Sequence, residues 1–586
     1  MQRHPTSRWL IAVGIVALVA TACSSSSKSS SGSGSGSSSA SGSSSATGGP
    51  STSAGAVTFD STATLTYSLE QEPTNFNILT SDGNNFYLAQ IIDQIWPSVY
   101  RTDQNAGVNL DTSFVTSAQL TSTNPQTIVY QINPNASWSD GTPITADDFI
   151  YNWHIQSGLP QYKDVDGSAP NAASTAGYSQ IKSIVGSNNG KTVTIVFSSP
   201  FPDWKSLFGM SGGDPLAPAH IMSKIGFNSG LLANKVTPAT LISGGPFELQ
   251  SYTPGQDLII VRNPHYWGTP ANLASVTYRF ITQSSNLAPA LQNNEVQAGY
   301  PQPQLDLVTQ IKGISSVKID EKAGLQFEHL DFNTTNKFLS DVNLRKAIAM
   351  AIDRPGLIAR TYGQIAPGLQ PLNDRFYVST QTQYKDNSGG LYDHANVSGA
   401  KALLTANGYT YSGNTLMKNG QPVTLRITSS SGNALRQSEE AVIINDEAQI
   451  GIKLTEVDTT SLGKTGSSGD FDLFLFGWVL SPFPSGNDAI YESPAKGGAN
   501  SENFGKIDDP KVDSFITQAD SALDTTQQAS FYNQADAELW AQMYTLPLFQ
   551  KPTILVYNTK YVNMYNDPTL EGPTFNEPLW GVRAAA

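Results

Sequence analysis

Cysteine is all but absent from this chain: Cys23 is its single thiol. The residues after it therefore hold no disulfide framework, no thiol nucleophile and no cysteine-built zinc site. Charge is scarce too. Asp, Glu, Lys and Arg make up 14% of the chain, against about 25% in ordinary globular proteins. Lys and Arg number 34 against 48 Asp and Glu, a net charge of −14 with no basic stripe. Neutralising phosphates needs clustered cations, so nucleic acid is excluded as a partner. The six histidines are scattered and form no His-Glu-x-x-His. No metal site and no cofactor are expected on that pattern. The N-terminal apolar run, Trp9 to Ala20, is too short for a spanning helix of ~20 residues, and no second long run follows. No fixed-period repeat marks a solenoid or propeller.

What is present begins with a leader. Arg3 and Arg8 precede an apolar run from Trp9 to Ala20, and Ala20-Thr21-Ala22 leads to Cys23. A basic start, a short apolar core and small residues describe an export signal over 1–22. A lone cysteine after small residues resembles a lipobox, in which the thiol is acylated and becomes the new N-terminus. That pattern prefers Leu three places before the cysteine, where this chain has Ala20. Lipidation at Cys23 and anchoring to the extracytoplasmic face of the cell membrane are expected; a soluble secreted protein is the alternative. Residues 23–56 are almost entirely Ser, Gly, Ala and Thr. Such a segment builds no apolar face and acts as a disordered tether with a mean reach of roughly 30 Å.

The rest of the chain has the means to fold. Hydrophobic residues are 39% and aromatics 10%, and a soft scale of ~150 residues per domain predicts two or three domains. Ala63 to Tyr67 alternates at period two and predicts a strand, as do Gln126 to Ile132 and Thr192 to Phe197. Phe86 to Ile92 predicts a helix, and Thr145 is a fitting N-cap before Asp147 and Asp148. Val342 to Ala351, Ala395 to Leu404 and Ala441 to Ile450 carry apolar residues at helical spacing. Phe471 to Phe476 is a nearly continuous apolar run, the signature of a strand buried on both faces. Mixed strands and helices predict an α/β architecture.

Three segments carry a family resemblance. The first is Trp138-Ser139-Asp140-Gly141-Thr142-Pro143 with Thr145-Ala146-Asp147-Asp148. The second is Gly245-Pro246-Phe247, Pro254-Gly255 and Arg262-Asn263-Pro264-His265-Tyr266-Trp267. The third is Phe332-Asn333-Thr334-Thr335, Asp341 to Ala347 and Ala351-Ile352-Asp353-Arg354. In that order they resemble the large solute-binding proteins of peptide-type ABC importers, family 5 of the extracellular binding proteins, over Thr58 to Trp580. Most of these residues read as structural: Asp140-Gly141 is a turn signal, and Trp138 and Trp267 are expected to pack against loops.

The resemblance implies a two-lobed periplasmic-binding-protein-like fold of the large, peptide-binding type II class with an inserted subdomain. Lobe I is expected at 57–98, 235–325 and 545–586, the insertion at 99–234, and lobe II at 326–544. The chain is expected to cross between lobes near Leu325-Gln326-Phe327 and Tyr544-Thr545-Leu546. A peptide or peptide-like solute would lie between the lobes of a monomer, for delivery to an ABC permease and its ATPase. In peptide-binding relatives a Gly-Trp strand end pairs with the ligand's main chain, a position matched by Gly477-Trp478-Val479. Those relatives carry an Asp just beyond, for the ligand's amino group; here Ser481 stands there. Plain free-amine peptides are thereby disfavoured relative to blocked, cyclic or non-peptide solutes. Arg375 matches a region where relatives sometimes hold a ligand carboxylate. Asn75 and Phe76 follow the first strand, where α/β folds place ligands; a surface turn is the alternative there, and Trp96, at the end of the first helix, is expected in the core.

Catalytic patterns fail on context. Gly209-Met210-Ser211-Gly212-Gly213 fits a nucleophile elbow, but Asp214-Pro215 follows where a helix must start. Gly463-Lys464-Thr465 lacks the upstream glycine of a phosphate loop. Asp164-x-Asp166-Gly167 lacks the other ligands of a calcium loop. No enzyme is expected. The rival function is an envelope scaffold of the same fold that feeds no importer.

Overall fold

The computed structural model describes residues 58–494 and 502–584. The export signal, Cys23 and the tether lie outside the described residues. The principal sheet is numbered here in chain order. β1 (Thr64–Leu69), β2 (Phe247–Thr253), β3 (Asp257–Arg262), β4 (Ser275–Phe280) and β5 (Ala298–Gly299) precede the long β6 (Val317–Phe332). β7 (Thr424–Thr428), β8 (Lys453–Glu456), β9 (Leu473–Val479) and the long β10 (Thr545–Asn558) follow. Their order across the sheet is β8-β7-β9-β6-β10-β5-β1-β4-β3-β2.

β6 and β10 join the two halves of this sheet. They run antiparallel from Val317 opposite Asn558 to Asp331 opposite Thr545. Their register slips between Ala323 and Gln326, opposite Pro552 and Lys551. A slip of this kind bends a ladder and raises its local twist. Gly324 sits in it, where a Cβ would come within 2.9 Å of the Lys551 carbonyl oxygen. Only glycine tolerates that approach.

Apolar side chains gather on either side of the slip. One core runs from Leu65 to Tyr300 and returns for Leu555 to Trp580. A second collects Leu330 to Tyr409, then Leu416 to Leu475, and closes on Trp540, Leu546 and Phe549. Burial explains the residue choice. Gln126–Ile132 alternates buried and half-buried positions in a four-stranded antiparallel sheet within residues 115–197. β9 is buried from Leu473 through Phe476, as an apolar run with neighbours on both sides requires. Truncating one such side chain to alanine costs about 2–5 kcal/mol.

Local signals set the helix limits. Thr145 accepts from the Asp147 N–H, and Asp148 reaches back to the Thr145 N–H at 3.0 Å, a reciprocal cap on Ala146–Gln156. Phe86–Ile92 and Val342–Ala351 keep the limits that periodicity predicts. The pattern at Ala441–Ile450 is the later part of a longer helix, Ala434–Gln449, capped by Asn433. Trp96 and Trp138 are fully buried, and Trp267 donates to the Ser113 carbonyl at 2.7 Å. Among the described residues no helix is long and apolar enough to cross a membrane.

Candidate functional site

A sizeable cavity lies where β6, β9 and β10 pass between the two cores. It offers about 200 Å³ of room for water-sized occupants, against the ~10–15 Å³ that one water needs. An extended ligand of many atoms fits; a lone ion would rattle. Its walls come from both halves of the chain, including Tyr87, Asp214 and Gln302 from one side and Arg436, Gly477 and Trp478 from the other.

β9 supplies one wall. Along one edge it pairs with β6 throughout, Val479 opposite Gln326 and Gly477 opposite Glu328. Along the other edge β7 reaches only Leu473 and Phe474. The main chain of Gly477, Trp478 and Val479 thus borders the cavity with no strand beside it. A Cβ on Gly477 would lie 3.2 Å from a Glu328 carboxylate oxygen and 3.3 Å from the Phe327 carbonyl, so a side chain there crowds the wall. The Trp478 ring lies 4.9 Å from Phe476 and 5.6 Å from Phe504, centre to centre. Its buried indole N–H has no partner.

A buried charge triad backs this wall. Glu328 accepts from the Arg436 Nε at 2.6 Å and from the Lys551 Nζ at 2.6 Å. Burial alone would push the Glu328 carboxyl up, but Arg436 and Lys551 together hold it at about 2. Both cations line the cavity. Arg436 also donates to the Ser430 hydroxyl at 2.7 Å.

Acidic side chains face them. Asp82, Asp214 and Glu502 border the same cavity. Burial pushes Asp214 up to about 8 and Glu502 well above the usual carboxylate range. One Glu502 oxygen is buried without a hydrogen-bond partner. A buried carboxylate oxygen without a donor, as on Glu502, favours a cationic or proton-donating partner.

The two sides also clasp each other beside the cavity, which Ser485 lines. The Asp203 carboxylate accepts from the Ser485 N–H at 3.2 Å and from the Gln528 amide at 3.1 Å. Desolvation raises its pKa.

The sequence-predicted site residues divide. Gly477, Trp478, Val479 and Ser481 line the cavity. Ser481 is occupied locally: its hydroxyl donates to the Phe483 carbonyl at 2.8 Å and accepts from the Phe483 N–H at 3.1 Å. Asn75, Phe76 and Arg375 are not among the residues that line the cavity. Asn75 is fully buried, and its amide donates to Thr80, Asp82 and the Asn228 carbonyl. Phe76 packs edge-on against Tyr252 at 5.0 Å. Arg375 is fully buried; it pairs with Asp536 at 2.7 Å, donates to Thr545 at 2.9 Å and lies 4.3 Å from the Trp540 ring centre. All three are committed inside the protein. Ser211 is buried too, its hydroxyl donating to the Lys205 carbonyl at 3.3 Å.

Glu328, Arg436, Lys551, Asp214 and Glu502 were not picked out from sequence. A signal existed for one of them. Lys551 is the single charge in the largely apolar strand Thr545–Asn558, and a buried charge there requires a partner.

Comparisons with known proteins complete the description. The family described as "Bacterial extracellular solute-binding proteins, family 5 Middle" matches residues 112–501. The oligopeptide-binding protein OppA of Mycobacterium tuberculosis strain H37Rv is 33% identical over 562 residues, covering 93% of this chain and 89% of OppA. The periplasmic EDTA-binding protein EppA superposes with a TM-score of 0.78 at 29% identity, over 92% of this chain and 100% of EppA. The oligopeptide-binding protein AppA of Bacillus subtilis, solved with a nonapeptide, gives a TM-score of 0.78 at 19% identity, over 90% of this chain and 100% of AppA. At that identity the likeness is one of fold.

Proposed function

Because the chain belongs to family 5 of the bacterial extracellular solute-binding proteins, we propose that it captures oligopeptides or similar solutes and hands them to the permease and ATPase of an ABC importer. The observation that carries this reading is the bare edge of β9 along the cavity, at Gly477, Trp478 and Val479. An extended peptide adds to such an edge through its main chain, which gives affinity without reading side chains. Trp478, Phe476 and Phe504 offer aromatic surface beside it.

Charge defines the ligand further. Ser481 brings no carboxylate, but Asp214 and Glu502 bring two on other walls. Ligands with a free amine or a basic side chain therefore suit the cavity. That revises the expectation of blocked solutes drawn from Ser481 alone. Lys551 and Arg436 remain within reach of a ligand carboxylate at the opposite pole of charge.

The lobes in this reading are 57–98, 235–325 and the end of the chain on one side, with 99–234 inserted, and 326–544 on the other. The register slip at Ala323–Gln326 supports the first crossing. Leu546 and Phe549 belong to the second core, so the second crossing is better drawn at Lys551–Pro552 than at Tyr544–Leu546. Closure of the lobes excludes water and presents a recognisable shape to the permease. Acylation of Cys23 and the 23–56 tether would hold the monomer near the membrane with freedom to turn. The relatives' names support the ligand class: OppA is named for oligopeptides and EppA for EDTA, so the class is oligopeptides or similar solutes.

Native mass spectrometry of the mature protein, purified without denaturation, tests the reading. Retained masses that fragment as peptides or amine-bearing solutes are expected. A protein that retains nothing and takes up no member of a mixed peptide pool would sink it.

A further inference from the structure

Three carboxylates meet beside the cavity wall, outside the site described above. Glu440 comes from the helix Ala434–Gln449, Glu456 ends β8, and Asp458 follows it closely. β7 and β8 are parallel, with Ile427 opposite Glu456, so the group forms at the carboxyl end of two parallel strands, where α/β folds bind ligands. One oxygen from each residue lies within 4.8 Å of the other two. Oxygens bound to one calcium ion at 2.3–2.6 Å can stand about that far apart.

Glu440 supplies an independent sign. Its side chain is 0% exposed, and neither oxygen has a donor in good hydrogen-bond geometry, the Ser429 hydroxyl being its weak neighbour. The hydroxyl beside it, on Ser429, donates to Asp458 at 3.4 Å. Arg436, one turn earlier on the same helix, is committed to Glu328 and Ser430. A buried carboxylate without a donor or cation is costly. Glu456 is exposed and Asp458 half-exposed, which leaves one side open to water ligands. The donor set is all oxygen and carries three negative charges. That suits a hard cation of the calcium type and not zinc or copper, which favour nitrogen and sulfur.

We propose that Glu440, Glu456 and Asp458 bind a calcium ion that fixes the neighbouring cavity wall. The link is short. Thr459, next after Asp458, bridges to Ser430, and its N–H donates to the Ser429 carbonyl at 2.8 Å. Thr460, Ser461, Leu462 and Gly463 then line the cavity. An ion holding Asp458 and Glu456 to the buried Glu440 anchors the start of that segment.

The test is thermal denaturation of the chelator-treated full chain, with calcium chloride titrated at constant ionic strength. Binding to the folded state alone predicts a saturable rise in melting temperature of about 3 °C at high occupancy. Glu440→Gln keeps the shape and removes the buried charge; it should abolish the rise. Asp458→Asn, at a half-exposed position, should reduce it at least tenfold in calcium affinity, and covers the case in which Glu440→Gln folds poorly. No rise in the native chain overturns the proposal. So does a rise that persists undiminished in both variants.

Discussion

Arg436 and Glu328 meet at 2.6 Å behind the cavity wall, one from a helix of the second core and the other from the crossing strand β6. Lys551, on the other crossing strand, grips the second oxygen of the same carboxylate at 2.6 Å. The triad therefore ties the two crossing strands to a cavity-lining helix. Breaking such a buried group on one side costs about 3–5 kcal/mol. Glu328→Gln is expected to lose that much in denaturant unfolding; a loss under 1 kcal/mol would show that the cations find other partners.

The same group sets an acid limit. Glu328 sits at about 2 in the folded chain and at its ordinary 4.5 when unfolded. The folded value is the depressed one. Its stabilisation is complete above pH 4.5 and is lost as pH falls toward 2. The melting temperature of the native chain should fall more steeply over that window than that of Glu328→Gln. Parallel pH profiles would contradict this.

Asp214 has the opposite sign. Burial raises it from 3.8 to about 8, so its penalty grows as pH climbs through that range. Asp214→Asn should raise the melting temperature of the ligand-stripped protein at pH 8 more than at pH 5. It should also weaken peptides with a free amine about tenfold while sparing N-acetylated neutral ones. Equal losses for both ligand types would remove Asp214 from amine recognition.

Asp203 is not among the residues that line the cavity, although its partner Ser485 is. Loss of its two hydrogen bonds at about 1 kcal/mol each predicts that Asp203→Ala releases ligand some 10- to 30-fold faster. Association should change little. Stopped-flow kinetics with an unchanged off-rate would exclude a clasp.

Gly477→Val places branched carbons against the Glu328 carboxylate and the Phe327 carbonyl. Affinity for extended peptides is expected to fall at least tenfold. Retained affinity in calorimetry would mean that the β9 edge is not where the ligand lies.

Much of the fold was legible because it rests on local pattern. Gln126–Ile132 alternates, Val342–Ala351 repeats at helical spacing, and Thr145 with Asp148 writes a cap. The site was legible only along Gly477 to Ser481, where a short segment carries the wall. Its charges were not, because each depends on a distant partner: Glu328 is 108 residues from Arg436 and 223 from Lys551. Arg375 misled for the same reason. Its partner Asp536 is 161 residues away, so nothing nearby in sequence showed that the cation was already used. Asn75 follows a strand as a ligand residue would, yet its amide is consumed by Thr80, Asp82 and Asn228.

Calorimetric titration of the refolded, ligand-stripped protein with a pool of free-amine pentapeptides bears most directly on capture at the β9 edge. One peptide per protein should bind saturably, with a Kd of about 1 μM or tighter, and Gly477→Val should weaken it at least tenfold. Absence of binding by a fully folded native chain, across the whole pool, would contradict the account.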